Sequence, residues 1–170
     1  MAKVAQLAPF TVGRMFDLDM ETDDSRRKLI EERLEDTNLR LSPVMSALSG
    51  TPADDEEPVH IYASDTSGEL AGGLVGYAWG HWLHIDLLWV DKRHRGSGLG
   101  TRLMARAEEI AREKHGCAHA RVETWARERS EPKRHFQAPD FYQKLGYRIV
   151  GIVENYPPGC TDHLLVKTLS

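Results

Sequence analysis

Leu87-Leu88-Trp89-Val90-Asp91-Lys92-Arg93-His94-Arg95-Gly96-Ser97-Gly98-Leu99-Gly100-Thr101-Arg102-Leu103-Met104, continuing through Ala105 to Glu109, decides how the rest of the chain is read. An apolar run ends in basic residues, three alternate glycines follow, and a helical pattern begins at once. That order predicts a strand, a tight turn and a helix. Glycine tolerates positive φ and lets an anion approach the main chain closely. The first-turn amides of the helix then face that anion. Arg93, His94 and Arg95 add charge beside it. The local reading is a phosphate or pyrophosphate cradle, against the alternative of a glycine-rich corner without a ligand. A Walker loop is excluded, because Gly100-Thr101-Arg102 stands where Gly-Lys-Ser/Thr is needed. A dinucleotide fingerprint starting at Gly96 fails at Thr101, where it needs glycine.

Outward from this stretch, Gly98 to His115 reads as an amphipathic helix. Leu99, Leu103, Ala107, Ile110 and Ala111 line one side, and Gly116 supplies the cap. Ala118 to Thr124 is expected as a strand, completing a strand–helix–strand crossover. Upstream, Val59 to Ser64, Leu70 to Trp79 and Trp82 to Val90 read as consecutive antiparallel strands on short turns. Downstream come a short helix over Ala138 to Leu145 and strands over Tyr147 to Val153 and His163 to Leu169. Near the start, Ser25 to Arg40 carries a helical stripe of Leu29, Ile30, Arg33, Leu34 and Thr37, with Asp23 or Asp24 as cap. It is expected as a packing helix. Thr11 to Leu18 is a candidate first strand. Residues 42–58, rich in Ser, Pro, Gly and acidic residues, are expected as a mobile connector within one domain spanning 1–170.

The 170 residues suffice for one domain with its own core. With 22 basic against 26 acidic residues the net charge is −4, which argues against a duplex nucleic-acid binder. RNA binding through Lys92 to Arg95 is disfavoured too, because no aromatic platform interrupts that stretch. Cys117 and Cys160 are far apart and lack ligand spacing, so reduced thiols are expected rather than a disulfide or zinc site. His81 and His84 lack a third ligand, so no metal is expected. No secretory signal or membrane span is expected, and the expected localisation is cytoplasmic.

Two signatures together resemble a known family, the GCN5-related N-acetyltransferase superfamily and its small bacterial single-domain members. Arg95-Gly96-Ser97-Gly98-Leu99-Gly100 matches its acyl-coenzyme A motif. Phe136-Gln137-Ala138-Pro139-Asp140-Phe141-Tyr142-Gln143-Lys144-Leu145-Gly146-Tyr147 resembles its late helix. The likeness covers Val59 to Leu169. It implies an α/β (α+β) fold with a mixed, mostly antiparallel sheet of six or seven strands, flanked by helices and splayed centrally around a cofactor cleft. It implies acetyl-CoA as co-substrate. Main-chain atoms of Leu88, Trp89 and Val90 would pair with the pantetheine arm. Gly96, Ser97, Gly98, Leu99, Gly100 and Thr101 would receive the pyrophosphate, with Arg93 and Arg95 as candidate phosphate contacts. Tyr142 would lie near the coenzyme sulfur and protonate the departing thiolate or hydrogen-bond to it.

The implied reaction is direct acetyl transfer to a primary amine, expected to belong to a small molecule. The alternatives are a protein lysine or N-terminus, and a non-catalytic acyl-CoA-binding module. A homodimer is an open alternative. An alkyl ammonium has a pKa of about 10.4, so presenting it neutral at pH 7 costs about 4.6 kcal/mol. A proton acceptor or water path is therefore needed. Strict strand alternation would put His84, Asp86, Leu88 and Val90 on one side. Asp86 and Glu123 are the leading candidates for the base, with His84 third. Close bacterial members pass almost directly from the threonine at 124 to Phe136. This chain inserts residues 127–135, where an acceptor could approach. Trp79, Trp82, Trp89 and Trp125 offer apolar wall for an acceptor with an aromatic or apolar part.

Overall fold

The structure, a computed structural model, describes Phe16, residues 18–125 and residues 138–170. The expected insertion at 127–135, together with Phe136 and Gln137, lies outside the described residues, as does nearly all of the candidate strand over 11–18. Phe16 and Leu18 are not in a strand. The chain forms two compact units, Met1–Ala47 and Leu48–Ser170.

In the first unit, α1 spans Asp24–Leu41. The Asp23 carboxylate starts it, accepting from the backbone N–H of Ser25 at 2.9 Å and of Arg26 at 3.0 Å. The helix buries none of its residues, and the stripe Leu29, Ile30 and Leu34, expected as a packing face, is exposed. The stripe is narrow and broken by Arg33 and Thr37, and the remaining surface is charged, with Arg27 paired to Glu31 at 3.0 Å. The expected connector over 42–58 contains a second helix, α2, over Pro43–Leu48. Its start is ordinary helix chemistry: Ser42 Oγ accepts from Met45 N at 3.3 Å, and proline occupies the first helical position.

The second unit holds β1 (Glu57–Ser64), β2 (Leu70–Trp79), β3 (Trp82–Val90), α3 (Leu99–His115), β4 (His119–Trp125), α4 (Ala138–Lys144), β5 (Arg148–Glu154) and β6 (Thr161–Thr168). The six strands form one sheet in the order β1-β2-β3-β4-β6-β5, parallel only between β3 and β4. Strand β1 begins at Glu57, two residues before the expected Val59, because Pro58 is tolerated on an edge strand.

The core follows from period-two burial meeting a helical stripe. Leu74, Ala78, Leu83 and Ile85 face one side of the sheet, and Leu103, Met104, Ala107 and Ala111 of α3 are buried with them. Val122, Leu165 and Tyr142 continue the same cluster. Each fully buried large aliphatic contributes about 1.5–3 kcal/mol. One polar device ties α3 to the far strands: Tyr147 Oη donates to Glu108 Oε1 at 3.0 Å, and Lys167 Nζ donates to Glu108 Oε2 at 2.6 Å. Burial, and then the Glu108 charge, raise the Tyr147 phenol well above its ordinary value, so it stays a donor.

Candidate active site

The sheet divides where β3 and β4 stop pairing. Their parallel register runs from Trp82 opposite His119 to Ile85 opposite Val122 and ends there. Beyond it β3 stays bonded to β2 as far as Val90, and β4 stays bonded to β6 as far as Trp125. The facing edges Asp86–Val90 and Glu123–Trp125 are therefore unpaired with each other. A backbone edge without a ladder partner is a template for another extended chain.

A β-bulge marks the split. Val75 stands opposite Leu87 and Gly76 opposite Ile85, so Asp86 is the extra residue. This corrects the alternation read from the sequence. Leu83 and Ile85 are buried before the bulge, and Leu88 and Val90 pack against the same core after it. His84 consequently lies on the opposite face from Leu88 and Val90, because one inserted residue inverts a period of two.

The loop after β3 is held at its stem and open at its tip. Asp91 N donates to Ala71 O at 2.9 Å, and the Asp91 carboxylate accepts from Arg93 N at 2.7 Å, starting a short 3-10 turn over Lys92–His94. Gly96 and Gly98 both have φ of +79°, and nothing lies within 4 Å of where a Cβ would stand on either. Helix α3 then starts without a side-chain cap. The N–H groups of Leu99, Gly100 and Thr101 are thus available to an anion at a helix N-terminus. Gly100 matters for packing instead. Its Cβ would sit 3.3 Å from the Phe141 ring and 3.7 Å from Val90, so the missing side chain lets α4 approach α3.

The two arginines of the loop differ. Arg93 donates from Nη1 and Nη2 to Glu69 Oε2 at 3.3 and 3.2 Å, and from Nε to Asp91 Oδ1 at 3.0 Å. Arg95 donates from Nε to Val90 O at 3.1 Å and has no ion pair among the described residues. A guanidinium shared between two carboxylates is a poor candidate for phosphate, so Arg95 is the better placed of the pair.

Tyr142 is buried in α4, edge-on to Phe141 at 5.3 Å and to Tyr147 at 5.8 Å between ring centres. Burial pushes its phenol up to about 12, so the hydroxyl is a proton donor at neutral pH. Its backbone carbonyl accepts from Leu145 N and Tyr147 N at 3.0 and 3.1 Å, which ends the helix and fixes the ring's position.

The opposite sheet face carries aromatic rings and charges. His84 stacks on Tyr77 at 4.6 Å with 11° between planes, and Trp79 meets it edge-on at 6.4 Å. Burial and then Arg121 lower the His84 pKa, against the opposing charges of Asp86 and Glu56, so the imidazole is neutral at pH 7. Glu123 is ion-paired with Arg121, and Asp86 is exposed at the bulge. The Tyr77 phenol is raised by burial and then by Glu56 and Asp86, with a smaller contribution from Glu123. Among the sequence candidates, His84, Asp86 and Glu123 therefore share one electrostatic neighbourhood. Tyr77, Arg121 and Glu56 belong to it as well, and sequence reasoning does not single them out. The only local signal is Tyr77 alternating with Trp79. Among the described residues no three His, Cys, Asp or Glu side chains group as metal ligands, and His81 Nδ1 lies 3.2 Å from the Gly116 carbonyl instead. No helix among the described residues is long and apolar enough to cross a membrane.

Comparison with known proteins bears on this geometry. The sequence profile of the Acetyltransferase (GNAT) family matches residues 27–147. A blasticidin-S acetyltransferase from Streptomyces morookaense is 51% identical over 140 residues, covering 81% of this chain and 96% of that protein. The crystal structure of an acetyltransferase from Bacillus cereus superposes with a TM-score of 0.71 at 31% identity, covering 91% of this chain and 99% of that one.

Proposed function

The chain belongs to the GNAT acetyltransferase family and is an acetyl-CoA-dependent acetyltransferase, and on that premise we propose that its acceptor is the primary amine of a small cationic molecule, with blasticidin S the first acceptor to test. The observation that carries this reading is the sheet face around His84. Carboxylates at Glu56, Asp86 and Glu123 act on the Tyr77 position, and among the described residues Arg121 counters them there. Carboxylates attract an ammonium, and the stacked Tyr77 and His84 rings supply a flat wall for a planar or apolar part of the same molecule. The high identity to a protein named for blasticidin S supports a small-molecule acceptor.

Acetyl-CoA supplies, when bound, an acetyl thioester that an amine attacks directly, forming the C–N bond as the C–S bond breaks. The residues present fit it. The unpaired edge of Leu88, Trp89 and Val90 offers main-chain donors and acceptors to the pantetheine amides. The amides of Gly96, Gly98, Leu99, Gly100 and Thr101 and the Arg95 side chain take the pyrophosphate, in a loop whose glycines leave open space and whose turn Ser97 closes by donating from N and Oγ to His94 O. Tyr142 donates a proton to the leaving thiolate. His84, held neutral, takes the proton from the amine, and the Asp86 charge stabilises the imidazolium so formed. Asp86 and Glu123 remain the alternative acceptors. Glu123 is the weaker because Arg121 engages it.

The test is coenzyme-thiol release with blasticidin S, aminoglycosides, polyamines, aryl-alkyl amines, amino acids and peptides, with products read by mass spectrometry. The expected result is a gain of one acetyl group on a cationic small molecule, blasticidin S first among them. Turnover confined to peptides or folded proteins refutes the proposal.

A further inference from the structure

Glu69 stands on the turn between β1 and β2, remote in sequence from the glycine loop, yet it is joined to the loop's stem. Its carboxylate accepts from both Nη atoms of Arg93, while Arg93 Nε donates to Asp91 Oδ1. Asp65 stiffens the turn that carries Glu69. Its Oδ1 accepts from Ser67 N at 2.9 Å, from Ser67 Oγ at 2.6 Å and from Glu69 N at 3.1 Å, and Asp65 N donates to Glu69 O at 2.9 Å. His94 Nε2 lies beside this turn, 3.6 Å from Asp65 Oδ2, and makes no hydrogen bond to it. From the stem the connection passes into the loop, where Ser97 Oγ donates to His94 O at 2.7 Å. The tip beyond it has no such support, because Gly96 and Gly98 have open space around them.

We propose that Glu69 is a positioning residue for the coenzyme's phosphate loop, and that Arg93 serves as the link between Glu69 and the loop rather than as a phosphate contact. This rests on the reading of residues 95–101 as the pyrophosphate site. A fork with three of its N–H groups spent on two carboxylates holds a fixed orientation. The chain leaving Arg93 therefore enters the glycines from a fixed direction, and the amides of Gly96 and of Gly98 to Thr101 are aimed before the anion arrives. Preorganisation of this kind is read in affinity.

The sign of one substitution separates this role from simple electrostatics. If Glu69 were only a nearby negative charge, Glu69→Gln would tighten acetyl-CoA, because a repelling carboxylate is gone and Arg93 is released toward the phosphates. If Glu69 positions the loop, the same change loosens acetyl-CoA. Calorimetric titration of the full chain with acetyl-CoA is the measurement, with thermal unfolding as the check on folding. Glu69→Gln is expected to raise Kd by about twofold to fivefold, the scale of an exposed ion pair, with the melting temperature unchanged. Combining Glu69→Arg with Arg93→Glu restores the pair with reversed ends and is expected to recover most of the affinity. A phosphate-binding Arg93 would instead lose further affinity in that swap. A Kd that falls or stays level in Glu69→Gln, or a swap weaker than either single change, overturns the positioning role. Gly98→Asp tests the loop reading separately. If that variant binds acetyl-CoA normally, the pyrophosphate site is wrong and the positioning role falls with it. If it weakens binding while Glu69→Gln does not, only the positioning role falls.

Discussion

Gly76→Ala is the substitution that the geometry of the split condemns most directly. An ideal Cβ on Gly76 would lie 2.2 Å from the carbonyl oxygen of His84 and 3.3 Å from Ile85 Cα. Real Cβ contacts stay beyond 3.0 Å, so the carbonyl must retreat by at least 0.8 Å, and it is main chain rather than a flexible tip. That carbonyl adjoins the bulge at Asp86, so the retreat is transmitted to the unpaired edge of β3. Alanine for glycine ordinarily stabilises by about 0.4–1 kcal/mol through the unfolded chain. Overpacking costs about 1–3 kcal/mol, so a net loss of about 1–2 kcal/mol is expected. A displacement near 1 Å at a reacting geometry costs on the order of 100-fold in rate. Here kcat/KM for acetyl-CoA should fall by about 10- to 100-fold. Gly151→Ala is the matched control, since its Cβ would meet Leu164 at an ordinary 3.5 Å. It should stay within about 0.5 kcal/mol of the native protein with unchanged kinetics. Urea unfolding and thiol-release kinetics on the three proteins provide the comparison. A Gly76→Ala protein as stable and as active as the control would refute the argument that glycine is what permits the bulge.

Two further outcomes concern proton transfer. Tyr142→Phe keeps the ring and removes the donor. Turnover should fall at least about tenfold while acetyl-CoA Kd holds, and unimpaired turnover removes the donor role. The fold raises the Tyr142 pKa from 10.0 to about 12. The stability this represents, roughly 2–3 kcal/mol, is present below pH 10 and lost as the pH climbs toward 12, and the phenylalanine variant should lack that loss. His84 has the opposite sign. Its folded pKa is below the ordinary 6.5, so its stabilising share is present above pH 6.5 and is lost as the pH falls through the folded value. As the base, His84 sets an acid limb of kcat/KM below pH 6.5, and His84→Gln should abolish that limb. If the limb persists in His84→Gln and vanishes in Asp86→Asn or Glu123→Gln, the proton goes to a carboxylate.

Most of the architecture is legible in the sequence because it rests on local signals. Alternating strands, the stripe of α3 and the glycine cap at 116 each carry their own chemistry within a few residues. The bulge is not legible along β3, since Trp82 to Val90 contains neither glycine nor proline. Its signal sits on the neighbouring strand, where an interior glycine at 76 marks a close backbone approach. The same limit hides the partner of Arg93, because Glu69 is brought to it only by the β2–β3 register, in which Gly72 stands opposite Val90. Tyr142 and the glycine loop are found from their motifs, whereas the cluster of Tyr77, His84 and Arg121 arises from three strands laid side by side. Helix α2 escapes the sequence reading for a different reason. Pro43 resembles a breaker, although proline at the first turn of a helix has no hydrogen bond to lose.

The parallel seam of four residue pairs between β3 and β4 has a mechanical consequence. Helix α3 packs on β1, β2 and β3, whereas α4 packs on β4 and β5. Each leaf of the sheet thus carries its own helix, and among the described residues no ladder bond crosses from one leaf to the other beyond Ile85 and Val122. The polar tie through Glu108 lies level with the seam, because Lys167 stands opposite Ala120, itself opposite Leu83. It fastens the leaves at the closed end, as a rivet fastens a pair of shears. Nearer the mouth, the contact of Phe141 against Gly100 is apolar. Such contacts demand no particular angle, whereas a hydrogen bond weakens steeply once it is bent out of line. A slight flexing at the seam can therefore widen or narrow the mouth without breaking a strand-to-strand hydrogen bond. Passage of a bulky substrate or product is opposed there by a soft spring rather than by a latch.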